Sequence, residues 1–244
     1  MLQRLIDAQP DVDDPQELYT KVVFPDAPED RPYIFLNLVS TADGKIVIGE
    51  PGGSAVGVGE ATDQLLFRRL QKVCDAAMIG GATLRASQVV YPPQTPRFVV
   101  TRTGDLPLEN RFFTDAPDRV YILAPKDLPE KTRQKLALHA TLIQTGKGGV
   151  DLTEALKTIR QTLGLRHLLC EGGAALNDEL LRAGLVDELF LSLTPKLKGG
   201  AHLPTVVDGQ GFPPGQFAPL TLVSLYHDEG ECYFRYKIKG RVKS

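Results

Sequence analysis

The 244-residue sequence has no tryptophan, two methionines and three cysteines, and its charge is nearly balanced, with 28 Lys and Arg against 30 Asp and Glu. Each scarcity excludes something. Cys74, Cys170 and Cys232 are too few and too widely spaced for a zinc cluster, and an odd cysteine count argues against a disulfide framework. A reducing cytoplasmic compartment is therefore expected. The four histidines, His139, His167, His202 and His227, lack any H-x-E, H-E-x-x-H or Cys-x-x-Cys companion, so no metal site is expected. A net charge of −2 offers no basic field to a phosphate backbone, and nucleic acid is not an expected partner. No apolar run reaches the ~18 residues that would suggest a bilayer-crossing helix. The opening MLQRLIDAQPDVDDPQ has no apolar core behind a basic end, so neither a membrane span nor a signal peptide is expected. The G-x-G-x-x-G, G-x-x-x-x-G-K-[ST] and G-x-S-x-G fingerprints are missing as well.

What the chain does have is an ordinary globular content, 42% hydrophobic and 24% charged, with 23 glycines and 18 prolines gathered into clusters that read as loops. Residues 1–31 are dense in Asp, Glu and Pro and read as an arm lying on the surface; residues 32–244 read as a single domain. Tyr33 to Val39 is a buried-strand run stopped by Ser40-Thr41-Ala42-Asp43-Gly44. Leu65, Leu66, Leu70 and Val73 follow a helical period, predicting a helix from about Ala61 to Lys72. Short apolar runs at 75–79, 97–100, 119–123, 141–144 and 166–170 read as strands. Helices are expected at 151–163, opened by a capping sequence Asp-Leu-Thr-Glu, and at 174–183. Strands are again expected at 187–194, 220–226 and 231–239, with no helix between the last two. The pattern predicts an α/β fold whose sheet is mostly parallel, with an antiparallel C-terminal edge.

Two strand-to-helix junctions carry the chemistry: Met78-Ile79-Gly80-Gly81-Ala82-Thr83 and Leu169-Cys170-Glu171-Gly172-Gly173-Ala174. Glycines there let the backbone approach an anion, and the free N–H groups of the next helix attract phosphate, so the pair suits the two ends of a dinucleotide. Thr145-Gly146-Lys147-Gly148-Gly149 is either a wall of that pocket or a surface connection. Thr101-Arg102-Thr103 could place a guanidinium and hydroxyls at an adenosine 2′-phosphate. Among polar residues at strand ends, Asn37, Ser40, Asp43 and Glu171 could hold a heterocycle, and the carboxyls of Asp43 and Glu171 could serve proton transfer.

The run Arg31–Lys45, the junction Asp75–Ala86 and the stretch Glu171–Glu188, followed by Thr194-Pro195 and Gly199-Gly200, closely resemble the pyrimidine reductase family of riboflavin biosynthesis, the reductase half of the bifunctional deaminase/reductase. The resemblance covers residues 31 to about 240 in order. It implies a three-layer αβα fold like that of dihydrofolate reductase and a homodimer. It also implies NADPH as cofactor, and as small-molecule substrate a ribosylaminopyrimidine 5′-phosphate whose ribosyl group is reduced to ribityl. By that resemblance Gly80, Gly81, Ala82 and Thr83 form one cofactor loop and Gly172, Gly173, Ala174 and Ala175 the other. Glu171 contacts the substrate base, Asn37, Ser40 and Asp43 face the substrate, and Ser54 borders both ligands. The chain departs from the family pattern at Asn37, where many bacterial members carry Lys, at Gln71, where an arginine contacts the substrate phosphate, and at Ser87, which replaces a cofactor-facing Asp. Arg85, Arg68 or Arg97 would have to replace the missing arginine. Otherwise the substrate lacks the phosphate or is another pterin or pyrimidine such as dihydrofolate, or the protein binds nucleotides without turnover.

Overall fold

The apolar runs of the sequence become strands covered on both faces. The computed structural model describes residues 1–8, 10–50 and 52–239. In chain order the elements are β1 (Gln3–Asp7), β2 (Tyr33–Thr41), α1 (Ala61–Val73), β3 (Ala76–Gly80), α2 (Gly81–Ala86), β4 (Arg97–Val100), α3 (Arg111–Thr114) and β5 (Val120–Ala124). They continue with α4 (Glu130–Ala137), β6 (Thr141–Gln144), α5 (Leu152–Leu163), β7 (His167–Cys170), α6 (Ala174–Ala183), β8 (Glu188–Thr194), β9 (Leu220–Asp228) and β10 (Glu231–Ile238). Among the described residues the strands form one ten-stranded sheet in the order β1-β9-β10-β8-β2-β7-β3-β4-β5-β6. From β8 to β6 every pairing is parallel; β10, β9 and β1 are added antiparallel.

Side chains alternate across each strand, so one strand feeds two cores. Ile34, Leu36 and Leu38 of β2 join Leu168 and Cys170 in a cluster under α5 and α6. Phe35 and Leu169 point the other way, into a cluster with Leu66 and Leu70 of α1. Further along that second face, Ile79, Val99 and Ile122 pack on Leu84, Phe112, Phe113 and Leu136 of the short helices α2, α3 and α4. The result is the expected three-layer αβα architecture. Asp151 caps α5 by accepting the Glu154 N–H at 3.0 Å, as its sequence predicts. Among the described residues no helix is long and apolar enough to cross a membrane.

The first 31 residues depart from the expected surface arm. β1 pairs antiparallel with β9 and extends the sheet. Leu2, Leu18 and Tyr19 are buried in the α1-side cluster, and Phe24 stacks on Phe35 with ring centroids 4.5 Å apart. Arg235 of β10 ties this segment down, bonding the buried Glu188 at 2.7 Å and Asp11 at 2.8 Å. The reason is structural: β9 offers β1 an edge to pair with, α1 offers Leu66 and Leu70 to Leu2, Leu18 and Tyr19, and a few well-spaced apolar residues suffice to hold the segment. His167 sits at the boundary as a structural residue, its ring stacked on Phe24 and its Nε2 3.2 Å from the Pro25 carbonyl.

Candidate active site

All the parallel strands end on one edge, and β7 and β3 are neighbours, so the two glycine turns that follow them meet there. The Gly80 N–H donates to the Gly172 carbonyl at 2.6 Å. A Cβ on Gly80 would lie 3.4 Å from Gly172 O and Gly173 N, and one on Gly173 would lie 2.6 Å from Thr83 Oγ1. Gly172 itself has φ +74°, which a side chain would strain. Both turns contribute to the wall of a cavity of about 770 Å³, a volume typical of cofactor and substrate clefts. Gly80, Gly81, Ala82, Thr83, Gly173, Ala174 and Ala175 line it. No side chain caps the start of α6, so the first-turn N–H groups at Ala174 and Ala175, which lack intrahelical partners, remain available to an anionic group.

On the β2 side of these turns the cavity is bordered by Asn37, Ser54, Asp63, Gln64, Phe67 and Glu171; on the β4 side by Val100, Arg102, Val150 and Glu179. Burial pushes the Glu171 carboxyl up to about 8, against the opposing influence of the neighbouring Tyr91 hydroxyl and Gln71 amide. The carboxyl therefore holds a proton at neutral pH and can donate it. Gln71 Nε2 donates to Glu171 Oε1 at 3.4 Å, so the residue at the position where the family resemblance expects an arginine reaches this buried carboxyl. Asp63 was not singled out by the sequence. It is buried, and that burial, reinforced by the negative Glu231 and opposed by the Ser192 hydroxyl, raises its carboxyl to about 6. Its signal was available: Asp63, Phe67 and Gln71 recur at i, i+4 and i+8, placing polar groups on the inward face of an amphipathic helix.

Several expected site residues stand elsewhere. Asp43 does not border the cavity. Its exposed carboxylate accepts the Lys198 N–H at 3.0 Å, the Gly199 N–H at 2.6 Å and the Thr41 hydroxyl at 2.6 Å, which together hold it far below the usual carboxylate range. It clamps the loop after β8 onto the turn after β2. Ser40 is buried opposite Leu193 of β8 and is not among the residues that line this cavity. Arg85 turns outward and donates to the Asp105 carbonyl at 2.6 Å. Thr101 is buried and its hydroxyl accepts the Gly104 N–H at 3.0 Å, stabilising a turn. Of the other arginines considered, Arg97 is buried with its guanidinium 5.7 Å from the Tyr91 ring centroid, and Arg68 is exposed on α1; neither borders the cavity. Ser54 does border it, its hydroxyl accepting the Val56 N–H at 3.1 Å. From the glycine-rich loop 145–149 no residue lines the cavity, but Val150 after it does.

Residues 32–232 match the model of the RibD C-terminal domain family. The chain is 32% identical to the 2,5-diamino-6-ribosylamino-4(3H)-pyrimidinone 5′-phosphate reductase of Methanothermobacter thermautotrophicus over 223 residues, covering 86% of this chain and 100% of the relative. The protein of the same description from Aquifex aeolicus is 29% identical, over 75% of this chain and 85% of its own length. Among solved structures, RibD of Acinetobacter baumannii superposes with a TM-score of 0.72 at 20% identity; the match covers 86% of this chain but 59% of that one. A pyrimidine reductase-like protein from Corynebacterium diphtheriae superposes with a TM-score of 0.70 at 19% identity, covering 86% and 93%. These structures share the fold seen here. The family match spans the strands and both glycine turns that build the cavity, and the chain belongs to the RibD C-terminal domain family.

Proposed function

We propose that the protein is the NADPH-dependent reductase that converts the ribosyl group of a ribosylaminopyrimidine 5′-phosphate to ribityl. The observation that carries this reading is the meeting of the two glycine turns in the wall of one cavity that the proton-bearing Glu171 carboxyl and the Arg102 guanidinium also border. Gly80 to Thr83 and Gly173 to Ala175 would hold the dinucleotide, the uncapped start of α6 receiving its pyrophosphate. The nicotinamide, when bound, would supply a hydride to the open-chain imine carbon of the sugar, and the imine nitrogen would take up a proton from solvent. The protein's task is placement: Asn37, Gln64 and Ser54 border the space for pyrimidine and sugar, and Phe67 offers a flat apolar wall. Orientation at close approach supplies much of the acceleration in such a site. Glu171, kept protonated by burial, can donate a hydrogen bond to a ring nitrogen or carbonyl oxygen of the pyrimidine, and Gln71 orients it.

A homodimer is part of this reading. The strands β8 and β10 present Leu189, Leu191, Phe234, Tyr236 and Ile238 on a half-covered face, and a second copy could cover it isologously. The reaction is assigned to the cytoplasm, in keeping with three free cysteines. One observation favours a second reading: among the described residues that line the cavity, Arg102 is the one Lys or Arg, and it borders the side away from Asn37 and Glu171. A phosphate-free heterocycle would suit that substrate end as well. The test is NADPH oxidation with freshly prepared ribosylaminopyrimidine phosphate, its dephosphorylated form and dihydrofolate in parallel. Turnover with the phosphate ester supports the proposal. Turnover with dihydrofolate alone, or binding of NADPH without turnover, would end it.

A further inference from the structure

Beside Glu171 stands a buried polar group that the proposed chemistry leaves without a role. Tyr91 lies in the connection between α2 and β4; Val89 and Val90 of that connection line the cavity, whereas Tyr91 does not and is 3% exposed. Its ring packs with Ile79 and Leu84, meets Phe112 edge-on with centroids 6.0 Å apart, and has the Arg97 guanidinium carbon 5.7 Å from its centroid. Glu171 follows β7 and is tied to β3, its N–H donating to the Met78 carbonyl at 2.9 Å. Two side chains approach its carboxyl from within the protein: Gln71 Nε2 from α1, and the Tyr91 hydroxyl from the connection. That hydroxyl is sealed from solvent and closes no full hydrogen bond with any described residue. A buried hydroxyl left open in this way is costly, and its position beside the candidate acid accounts for its being kept.

We propose that Tyr91 is a positioning residue for Glu171: its hydroxyl and the Gln71 amide both aim donors at the carboxyl from the protein side, so that the acid's own proton is turned into the cavity, where it meets the pyrimidine. This rests on the reading that Glu171 donates to the substrate. A carboxyl oxygen that accepts these donors cannot also direct its proton at them, and the cavity is the direction left. The approach of Tyr91 is long, as hydrogen bonds at active sites often are before a ligand is seated. Burial, reinforced by the Glu171 carboxyl, keeps the Tyr91 hydroxyl well above the usual tyrosine range, so it remains a donor wherever Glu171 titrates. The other titratable groups around Glu171 stay out of that range. Cys74 and Cys170 are each pushed up to about 12 by burial, and Asp63, two turns before Gln71 on α1, ionises at about 6. The charged group beyond them is Arg97, against the Tyr91 ring. A fall in activity near pH 8 therefore belongs to Glu171.

Rates of NADPH oxidation with the ribosylaminopyrimidine phosphate, measured on the full chain between about pH 6 and pH 10, test this in wild type, Tyr91→Phe, Glu171→Gln and the double variant. Phenylalanine keeps the ring against Phe112 and Arg97 and removes only the hydroxyl. A donor that favours the carboxylate holds the Glu171 titration down, so its removal should move the decline of kcat/KM up by about one pH unit. The misdirected proton should also lower kcat/KM at pH 7 by about tenfold. In the Glu171→Gln background there is no titration to move, and the profile should show no step near pH 8 with or without the hydroxyl. Urea unfolding reports whether each variant folds and gives a readout that needs no substrate: stability should go on falling about one pH unit further in Tyr91→Phe than in wild type. Tyr91→Leu supplies a second removal of the hydroxyl. Folded Tyr91 variants whose activity decline and stability curves keep the wild-type position would overturn the role of Tyr91 while leaving the reading of Glu171 intact. A wild-type chain without turnover, or Glu171→Gln with the wild-type rate and profile, would overturn that reading and the role of Tyr91 with it.

Discussion

Replacing Glu171 with glutamine should change how stability depends on pH, and the sign follows from where its carboxyl sits. An ordinary glutamate titrates near 4.5, whereas burial in the wall of the cavity pushes this one up to about 8. At about 1.4 kcal/mol per pH unit the difference corresponds to roughly 5 kcal/mol, and water in the open cavity reduces it to something on the order of 2–4 kcal/mol. The folded state binds the proton more tightly than the unfolded state, so its contribution to stability is complete below pH 4.5 and is lost progressively as pH rises to about 8. The glutamine side chain of the variant cannot ionise. Urea denaturation should therefore give similar stabilities for wild type and Glu171→Gln near pH 5, and a variant more stable than wild type by about 2–4 kcal/mol near pH 9. The catalytic consequence runs in parallel. The wild-type kcat/KM should fall about tenfold per pH unit above 8, and the variant should lose about 100-fold at pH 7 while showing no decline near 8. Parallel stability curves for the two proteins would refute the claim that burial keeps this carboxyl protonated.

Much of this arrangement is legible in the sequence because it is set by local rules. The periodicity of Leu66 and Leu70 gives α1 almost to the residue, the capping sequence gives α5, and the glycine pairs after Ile79 and Glu171 give the turns that meet in the cavity. What the sequence leaves open depends on long-range packing. Asp43 and Arg85 carry the charges that a site needs, but their destinations are decided by loops more than 15 residues away, the backbone of 198–199 for one and Asp105 for the other. Asp63 sits at an unremarkable helix position, and only the approach of Ser192 and Glu231 from β8 and β10 turns it into a buried carboxyl. The same is true of residues 1–31. Their acidic, proline-rich composition signals surface, and the edge of β9 that recruits Gln3–Asp7 lies more than 200 residues further on. Pairing with a strand is available to almost any backbone, so composition there is a weak guide.

Three further substitutions probe separate links of the argument. Asp43→Asn should lower the unfolding midpoint, because the clamp on Lys198 and Gly199 weakens, yet leave kcat/KM within about twofold; a large loss of activity would return Asp43 to the chemistry. Gly173→Ala places a methyl group 2.6 Å from Thr83 Oγ1 and should spread the two turns, weakening dinucleotide affinity by about tenfold or more in titrations; unchanged affinity would show that their contact does not shape the site. Arg235→Met tests how the N-terminal segment is held. Glu188 is fully buried, and Arg235 is its cationic partner, at 2.7 and 3.2 Å, with the Tyr33 hydroxyl adding a single hydrogen bond at 2.8 Å. Removing the guanidinium strands that carboxylate and also releases Asp11, so the loss should be about 3–5 kcal/mol in chemical denaturation. The double variant Arg235→Met, Glu188→Gln should recover a large part of that loss, because an amide needs no countercharge. If the double variant is as unstable as the single one, the cost lies in the packing of Arg235 against Phe24 and Phe190, whose ring centroids are 5.8 and 5.3 Å from its guanidinium carbon, and not in the stranded charge.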